Sequence, residues 1–109
     1  EELGGHMVLG HVDDCAKITE IKTIKGSHQF TFAAEKKWQK FLMQKGSVVL
    51  DGVSLTVNDV FSDKKMVIFQ VNIIPHTFEN TGFKRYKIND LVNLEIDVLA
   101  RYASKFLSK

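Results

Sequence analysis

The spacing of apolar and polar residues along the chain predicts six short strands. Val8–Ile24 is rich in β-branched residues and lacks a helical period, which is typical of a long or bent strand ending at the turn Lys25–Gly26–Ser27. Alternation and aromatic content predict five further strands, at Phe30–Phe32, Ser47–Leu50, Val53–Val57, Met66–Asn72 and Leu91–Asp97. The Asp51–Gly52 pair between two apolar runs favours a type I′ hairpin turn, whose two central residues need positive φ.

Helical features occur at three places. Trp38, Phe41 and Leu42 are spaced i, i+3, i+4, which predicts an amphipathic helix over Glu35–Met43 with Trp38 in the core. Pro75 suits the first position of a helix, where its missing N–H would have no partner, and it predicts a short helix at Pro75–Asn80. A final apolar stripe predicts a C-terminal helix over about residues 98–108, with Leu99, Tyr102, Ala103 and Phe106 on one side.

These elements indicate an all-β fold. A parallel sheet would need a helix between successive strands, and the pattern has only one inserted helix between Phe32 and Ser47 and a short one after Asn72. Closing six antiparallel strands into a barrel removes the exposed sheet edges. We therefore expect a small closed six-stranded antiparallel Greek-key barrel with a short inserted helix and a C-terminal helix, forming one domain over residues 1–109.

Composition excludes several classes of function. The chain carries 15 basic and 13 acidic residues, and a net charge of +2 is too small to indicate a nucleic-acid partner. Cys15 is the only cysteine, so an internal disulfide and a thiol metal site are excluded, and a reducing cytoplasm fits. The sequence has neither a signal peptide nor an apolar run that would span a membrane, and we expect no membrane partner. Because the sequence does not begin with Met, we expect it to be part of a longer protein.

Four short motifs follow one another in a fixed order. They are Gly4-Gly5-His6-x-x-x-Gly10-His11-Val12-Asp13, Lys45-Gly46 with Asp51-Gly52-x-Ser54-Leu55-Thr56-Val57, Ile74-Pro75-His76-Thr77-x-x-x-Thr81, and Val92-Asn93-Leu94-Glu95-x-Asp97. Together they resemble the second, carboxy-terminal lumazine-binding repeat of the riboflavin synthase family, over nearly the whole chain. The first repeat of that family carries Cys where this chain has Ser54, and Gly-Gly-His opens the second repeat.

The resemblance implies an enzyme that needs neither a cofactor nor a metal. Two molecules of 6,7-dimethyl-8-ribityllumazine exchange a four-carbon unit, which yields riboflavin and 5-amino-6-ribitylamino-pyrimidinedione. Each barrel of the family binds one lumazine, and the active site forms between the N-terminal barrel of one subunit and the second barrel of its neighbour in a homotrimer. The reaction begins with proton loss from an acidic ring methyl group, so modest general bases and the close alignment of two rings suffice.

The resemblance also implies which residues contact the substrate. The catalytic candidates are Ser54 and His11, since histidine is the residue type whose unperturbed pKa suits proton transfer near neutral pH. The substrate-binding candidates are Gly10, His11, Val12, Lys45, Ser54, Leu55, Thr56, Asn72, Ile73, Ile74, Pro75, His76 and Thr77. His76 departs from some relatives, which hold an acidic residue there. Asp51, Thr81, Asn93 and Glu95 are interpreted as structural, and Cys15 as an ordinary strand residue.

Other interpretations of these residues remain open. His11 also suits a structural hydrogen bond, Lys45 could cap the preceding helix, and the Ser54 and Thr56 hydroxyls could serve backbone groups. At the level of the whole chain, a non-catalytic lumazine- or flavin-binding module is the main alternative to half of an enzyme. A barrel that binds single-stranded nucleic acid would need exposed aromatic residues beside Lys and Arg. Most aromatic residues here are Phe within predicted strands and helices, which favours core positions.

Overall fold

The computed structural model describes residues 14–96, which contain six strands; buried and exposed positions alternate along most of them, whereas residues 30–34 are all buried. The strands are β1 (Asp14–Ile24), β2 (Ser27–Glu35), β3 (Ser47–Leu50), β4 (Val53–Ser62), β5 (Met66–Ile73) and β6 (Leu91–Ile96). They close into an antiparallel barrel in the order β1-β2-β5-β4-β3-β6, and β6 pairs with β1. Since β3, β4 and β5 form a meander and β6 returns to lie beside β3, the path is a Greek key. The predicted closed six-stranded barrel is confirmed.

The core fills the interior of the barrel with one face of every strand. Because successive side chains of a strand point to opposite faces, the alternating apolar residues of each strand meet inside. The fully buried side chains of largest volume are Phe30, Phe32, Phe69, Phe83, Ile18, Leu50, Ile73 and Leu94. A register shift between Ile18 and Glu20 bends β1, as the prediction of a long or bent strand allowed. The residues of that prediction before Asp14 lie outside the described part of the chain.

Two hairpin turns hold consecutive residues at positive φ. Asp51 and Gly52 have φ values of 49° and 81° between β3 and β4, which agrees with the predicted type I′ turn. Lys25 and Gly26 repeat this arrangement between β1 and β2, with φ values of 50° and 86°. Asp and Gly tolerate this conformation better than most residues, so the local sequence supports the pairing register of the β3–β4 hairpin.

The helix predicted over Glu35–Met43 is wrong in type and length, because the structure has a 3-10 helix over Lys36–Phe41. In a 3-10 helix the side chains at i and i+3 are eclipsed, so Trp38 and Phe41 still share one face and pack on the core. The i, i+3 spacing is common to both kinds of helix, so it could not distinguish them. The predicted core role of Trp38 is confirmed.

A cluster of aromatic rings closes one end of the barrel. The predicted helix, here α1 (Pro75–Asn80), is confirmed, and a second 3-10 helix, Gly82–Arg85, follows it. Phe83 of this second helix lies edge-on to Phe30 at 5.4 Å and to Tyr86 at 5.1 Å between ring centroids. The hydroxyl of Thr81 accepts a hydrogen bond from the Phe83 N–H, which supports its structural interpretation. The predicted C-terminal helix lies outside the described residues.

Candidate functional site

The start of β4 and the end of β5 are neighbours in the barrel, and two of the predicted contact segments meet there. The register of β4 with β5 runs from Val57–Val71 to Ser62–Val67. Within the described barrel, residues 53–56 therefore pair with β3, and residues 72–73 pair with β2, but the two groups are not paired with each other. The ladder between the two strands ends where both segments lie.

Side-chain alternation divides these two segments between the core and the outer face. Ser54, Thr56 and Asn72 are exposed on the outside of the barrel, and Ile74 continues outward with 57% of its surface exposed. We call these four residues the β4–β5 patch. Leu55 and Ile73, two further predicted contact residues, point into the core. Leu55 is 9% exposed and Ile73 is fully buried, so neither side chain lines the patch.

Lys45 is held beside the β4–β5 patch by its backbone. Its N–H donates to the Val57 carbonyl at 2.7 Å, and the Val57 N–H donates to the Gly46 carbonyl at 2.8 Å. Lys45 has a φ of 68°, in the left-handed region that non-glycine residues rarely occupy, and its side chain is exposed. Its position next to Val57 brings it to the same part of the barrel as Thr56, which immediately precedes Val57.

The remaining predicted contact residues form the first turn of α1. Pro75 opens the helix, and the Phe78 N–H donates to the Ile74 carbonyl at 2.9 Å. His76 is exposed, and its carbonyl accepts a hydrogen bond from the Asn80 side chain at 2.7 Å. The Thr81 hydroxyl donates to the Thr77 carbonyl at 2.8 Å, so the backbone of Thr77 is fixed while its own hydroxyl has no side-chain hydrogen bond within residues 14–96.

Gly10, His11 and Val12 lie outside the described residues, but the residue at which the described chain begins is firmly held. The Trp38 indole N–H and the Cys15 backbone N–H both donate to the carboxylate of Asp14. These hydrogen bonds hold the pKa of Asp14 below its ordinary value of 3.8, with the indole contributing most. The two hydrogen bonds to Asp14 anchor the start of β1, three residues after His11.

Two residues near the β4–β5 patch escaped the sequence prediction. His28 lies on the core face of β2, paired with Ile73, and its ring stacks on Phe78 at 3.6 Å between centroids. Gln29, the next residue, is paired with Asn72 and faces outward. The alternation of His28, Phe30 and Phe32 was the available signal, because it puts His28 on the core face of the strand and Gln29 on the outer face.

Comparison with known proteins identifies the family. The family model for the lumazine binding domain matches residues 9–97. This chain belongs to the lumazine binding domain family. The riboflavin synthase of Brucella abortus (strain 2308) is 47% identical over 105 residues, which cover 96% of this chain and 50% of that protein. The riboflavin synthase of Bacillus subtilis (strain 168) is 37% identical over 106 residues, covering 97% and 47%. The chain thus spans about half the length of these curated relatives.

Solved structures share the fold of this lumazine binding domain. LumP complexed with riboflavin has a TM-score of 0.67 and 22% sequence identity, over 81% of this chain and 45% of LumP. LumP complexed with 6,7-dimethyl-8-(1'-D-ribityl) lumazine has a TM-score of 0.64 and 22% identity, over 80% and 46%. At this identity the likeness supports the barrel architecture alone.

The described part of this lumazine binding domain contains neither a cluster of metal-binding side chains nor a membrane-spanning helix. Within residues 14–96, no group of three His, Cys, Asp or Glu side chains is placed to hold a metal ion. No helix in the same range is long and apolar enough to cross a membrane. Residues 9–97 of the family match contain the whole β4–β5 patch together with Lys45.

Proposed function

We propose that this domain is one half of a riboflavin synthase and that it binds 6,7-dimethyl-8-ribityllumazine on the β4–β5 patch. The observation that carries the proposal is the 47% identity over 96% of the chain to a riboflavin synthase of which the chain spans half. A match that ends at half of the relative's length is what a single repeat of a two-repeat enzyme would give. We assign this domain to the second repeat, because Ser54 stands where the first repeat has Cys.

The chemistry of the β4–β5 patch supports a ligand of this kind. Ser54 and Thr56 offer hydroxyls and Asn72 offers an amide, which are suitable partners for the hydroxyls of a ribityl chain. Ile74, exposed at 57%, provides an apolar surface for a flat ring, and such mixed linings are usual in small-molecule sites. The end of the β4–β5 ladder at Val57–Val71 leaves backbone groups of both strands close to the same place, where they could bind the ring carbonyl and imide groups.

In the proposed enzyme, this barrel faces the N-terminal barrel of a neighbouring subunit in a homotrimer. Each barrel holds one lumazine, and a four-carbon unit passes from one to the other, giving riboflavin and 5-amino-6-ribitylamino-pyrimidinedione. We assign proton transfer or ring contact to His11, and hydrogen bonding at the reacting ring to Ser54. Holding two rings face to face supplies most of the acceleration through proximity and orientation, without a cofactor. A cytoplasmic location stays an expectation.

A non-catalytic lumazine- or flavin-binding module is the second candidate. The barrel superposes on LumP, whose solved complexes contain riboflavin or a ribityllumazine, with TM-scores of 0.67 and 0.64. A single barrel also supplies only one of the two binding sites that the dismutation needs. Ligand binding without turnover is therefore the behaviour we expect of this chain by itself.

An assay of riboflavin formation separates the two candidates. The chain is incubated with 6,7-dimethyl-8-ribityllumazine alone, and again with an N-terminal barrel from a riboflavin synthase relative, and the product is followed by its absorbance and fluorescence. We expect turnover only in the mixture, and a loss of turnover in Ser54→Ala but not in Ser62→Ala, which removes an exposed hydroxyl from the opposite end of β4. Binding without turnover in every mixture would favour the non-catalytic module.

A further inference from the structure

A row of polar side chains crosses the outer face of the barrel at the β4–β5 patch and continues onto β2. Gln29 of β2 is paired with Asn72 of β5. Asn72 and Thr56 are the residues next to the paired Val71 and Val57. Gln29 lies between the core-facing His28 and Phe30, so its side chain points outward, on the same face as Asn72 and Thr56.

The side chains of this row have no hydrogen bonds among themselves. Within residues 14–96, neither the Gln29 carboxamide nor the side chains of Asn72 and Thr56 make a side-chain hydrogen bond. The adjacent row behaves differently, because the Gln70 amide donates to the Thr31 hydroxyl at 3.3 Å. The polar groups of the first row are therefore available to a ligand, whereas those of the second are engaged within the protein.

The dimensions of the row fit an extended polyol. Paired strands lie about 5 Å apart, which sets the spacing of Gln29 and Asn72, and Thr56 lies on β4 immediately beyond the last β4–β5 pair. An extended ribityl chain placed along this row would meet amides from Gln29 and Asn72 and the hydroxyl of Thr56. Each carboxamide offers both a donor and an acceptor, which matches hydroxyl groups that also do both. Ile74 follows the end of β5, two residues after Asn72, and its 57% exposure offers an apolar surface to the ring.

We propose that Gln29 is a further ligand-binding residue, which hydrogen-bonds the ribityl chain of a lumazine bound on the β4–β5 patch. This inference rests on the proposed function and deepens it. It assigns the polyol to the row formed by Gln29, Asn72 and Thr56, and the ring to the Ile74 side. Gln29 then contributes to specificity, because it favours lumazines that carry a polyol over those that carry only an alkyl group at the same ring nitrogen.

The test compares two ligands and two variants. Dissociation constants of 6,7-dimethyl-8-ribityllumazine and of 6,7,8-trimethyllumazine, which lacks the polyol, are measured by ligand fluorescence. In Gln29→Ala we expect the affinity for the ribityl compound to fall about three- to tenfold, as for the loss of one neutral hydrogen bond, and the affinity for the trimethyl compound to stay within twofold. Gln70→Ala, in the adjacent row, is the matched control and should change neither. Circular dichroism and thermal melting verify that both variants are folded.

Three results would overturn the inference. One is an unchanged affinity of Gln29→Ala for the ribityl compound, and another is an equal loss for both ligands, which would indicate a general effect on the site. The third is the absence of ribityllumazine binding by the unsubstituted chain, which would remove the proposed function as well. The first two leave the unsubstituted chain binding its ligand, so a failure of this inference is distinguishable from a failure of the proposed function.

Discussion

The indole N–H of Trp38 donates a hydrogen bond of 2.9 Å to a carboxylate oxygen of Asp14. The two residues are distant in sequence, since Trp38 belongs to the 3-10 helix between β2 and β3 while Asp14 begins β1. The bond therefore fixes the first described residue of the barrel to the inserted helix. It also connects the core, on which Trp38 packs, to the chain that leads from the predicted contact segment Gly10–Val12.

We expect the stability provided by Asp14 to depend on pH. Its pKa in the folded state lies below 3.8, chiefly because of the Trp38 hydrogen bond, so the unfolded state binds more protons than the folded state near that pH. The contribution is fully present well above pH 3.8 and is lost as the pH falls through the folded-state pKa. Asp14→Asn should lower the free energy of unfolding by about 1 kcal/mol near pH 6, and the difference should shrink towards pH 3.

Urea unfolding of both proteins at several pH values measures this difference. Asp59→Asn serves as the control. Asp59 is an exposed residue of β4, and within residues 14–96 its carboxylate lacks a comparable set of hydrogen bonds. A difference between Asp14→Asn and the unsubstituted chain that stays constant from pH 6 to pH 3 would show that the Asp14 charge is not the cause.

A second contact joins the β3–β4 turn to the closed end of the barrel. The Tyr86 hydroxyl and the Asn93 N–H each donate to a different carboxylate oxygen of Asp51. Tyr86→Phe removes a hydrogen bond to a charged acceptor, and we expect it to lower the free energy of unfolding by about 2 kcal/mol. A double-mutant cycle with Asp51→Gly, which removes the acceptor and tolerates positive φ, should give a coupling energy of about 1 kcal/mol or more. Additive effects of the two substitutions would contradict a direct interaction.

The aromatic cluster predicts a sharp contrast between two phenylalanines. Phe83 is 1% exposed and contacts Phe30 and Tyr86, whereas Phe61 of β4 is 54% exposed. Phe83→Ala should lower the free energy of unfolding by about 4 kcal/mol, through lost burial and the cavity that remains. Phe61→Ala should change it by no more than about 0.5 kcal/mol. Chemical denaturation compares the two, and similar losses would mean that the end of the barrel is not closed by Phe83.

The sequence predicted the strands and the hairpin of this barrel because those features are local. β-Branched content located β1, alternation and apolar runs located the other five strands, and Asp51–Gly52 specified a turn whose φ values are both positive. The extent of β4 was underestimated: it continues from Val57 to Ser62, where a bulge interrupts the alternation between Val57 and Asp59. The type of the inserted helix was also missed, since the i, i+3 spacing fits a 3-10 helix and an α-helix equally.

The candidate site was predictable only in part, because it depends on which strands become neighbours. Motif order selected Ser54, Thr56 and Asn72, and the structure places all three on the outer face. Sequence alone did not reveal that Gln29 would be paired with Asn72, since that contact joins residues 43 positions apart through the barrel order. The Tyr86–Asp51 contact was missed for the same reason, although Asp51 was correctly interpreted as a turn residue.

Direct binding of 6,7-dimethyl-8-ribityllumazine to this chain tests the central claim. The ligand is titrated with the chain and its fluorescence intensity and anisotropy are followed, alongside Thr56→Ala and the control Ser62→Ala. We predict saturable binding by the unsubstituted chain, an affinity about three- to tenfold weaker for Thr56→Ala through loss of one hydrogen bond, and no change for Ser62→Ala. Absence of binding at high micromolar ligand, with the chain folded by circular dichroism, would contradict the assignment of a lumazine site to this barrel.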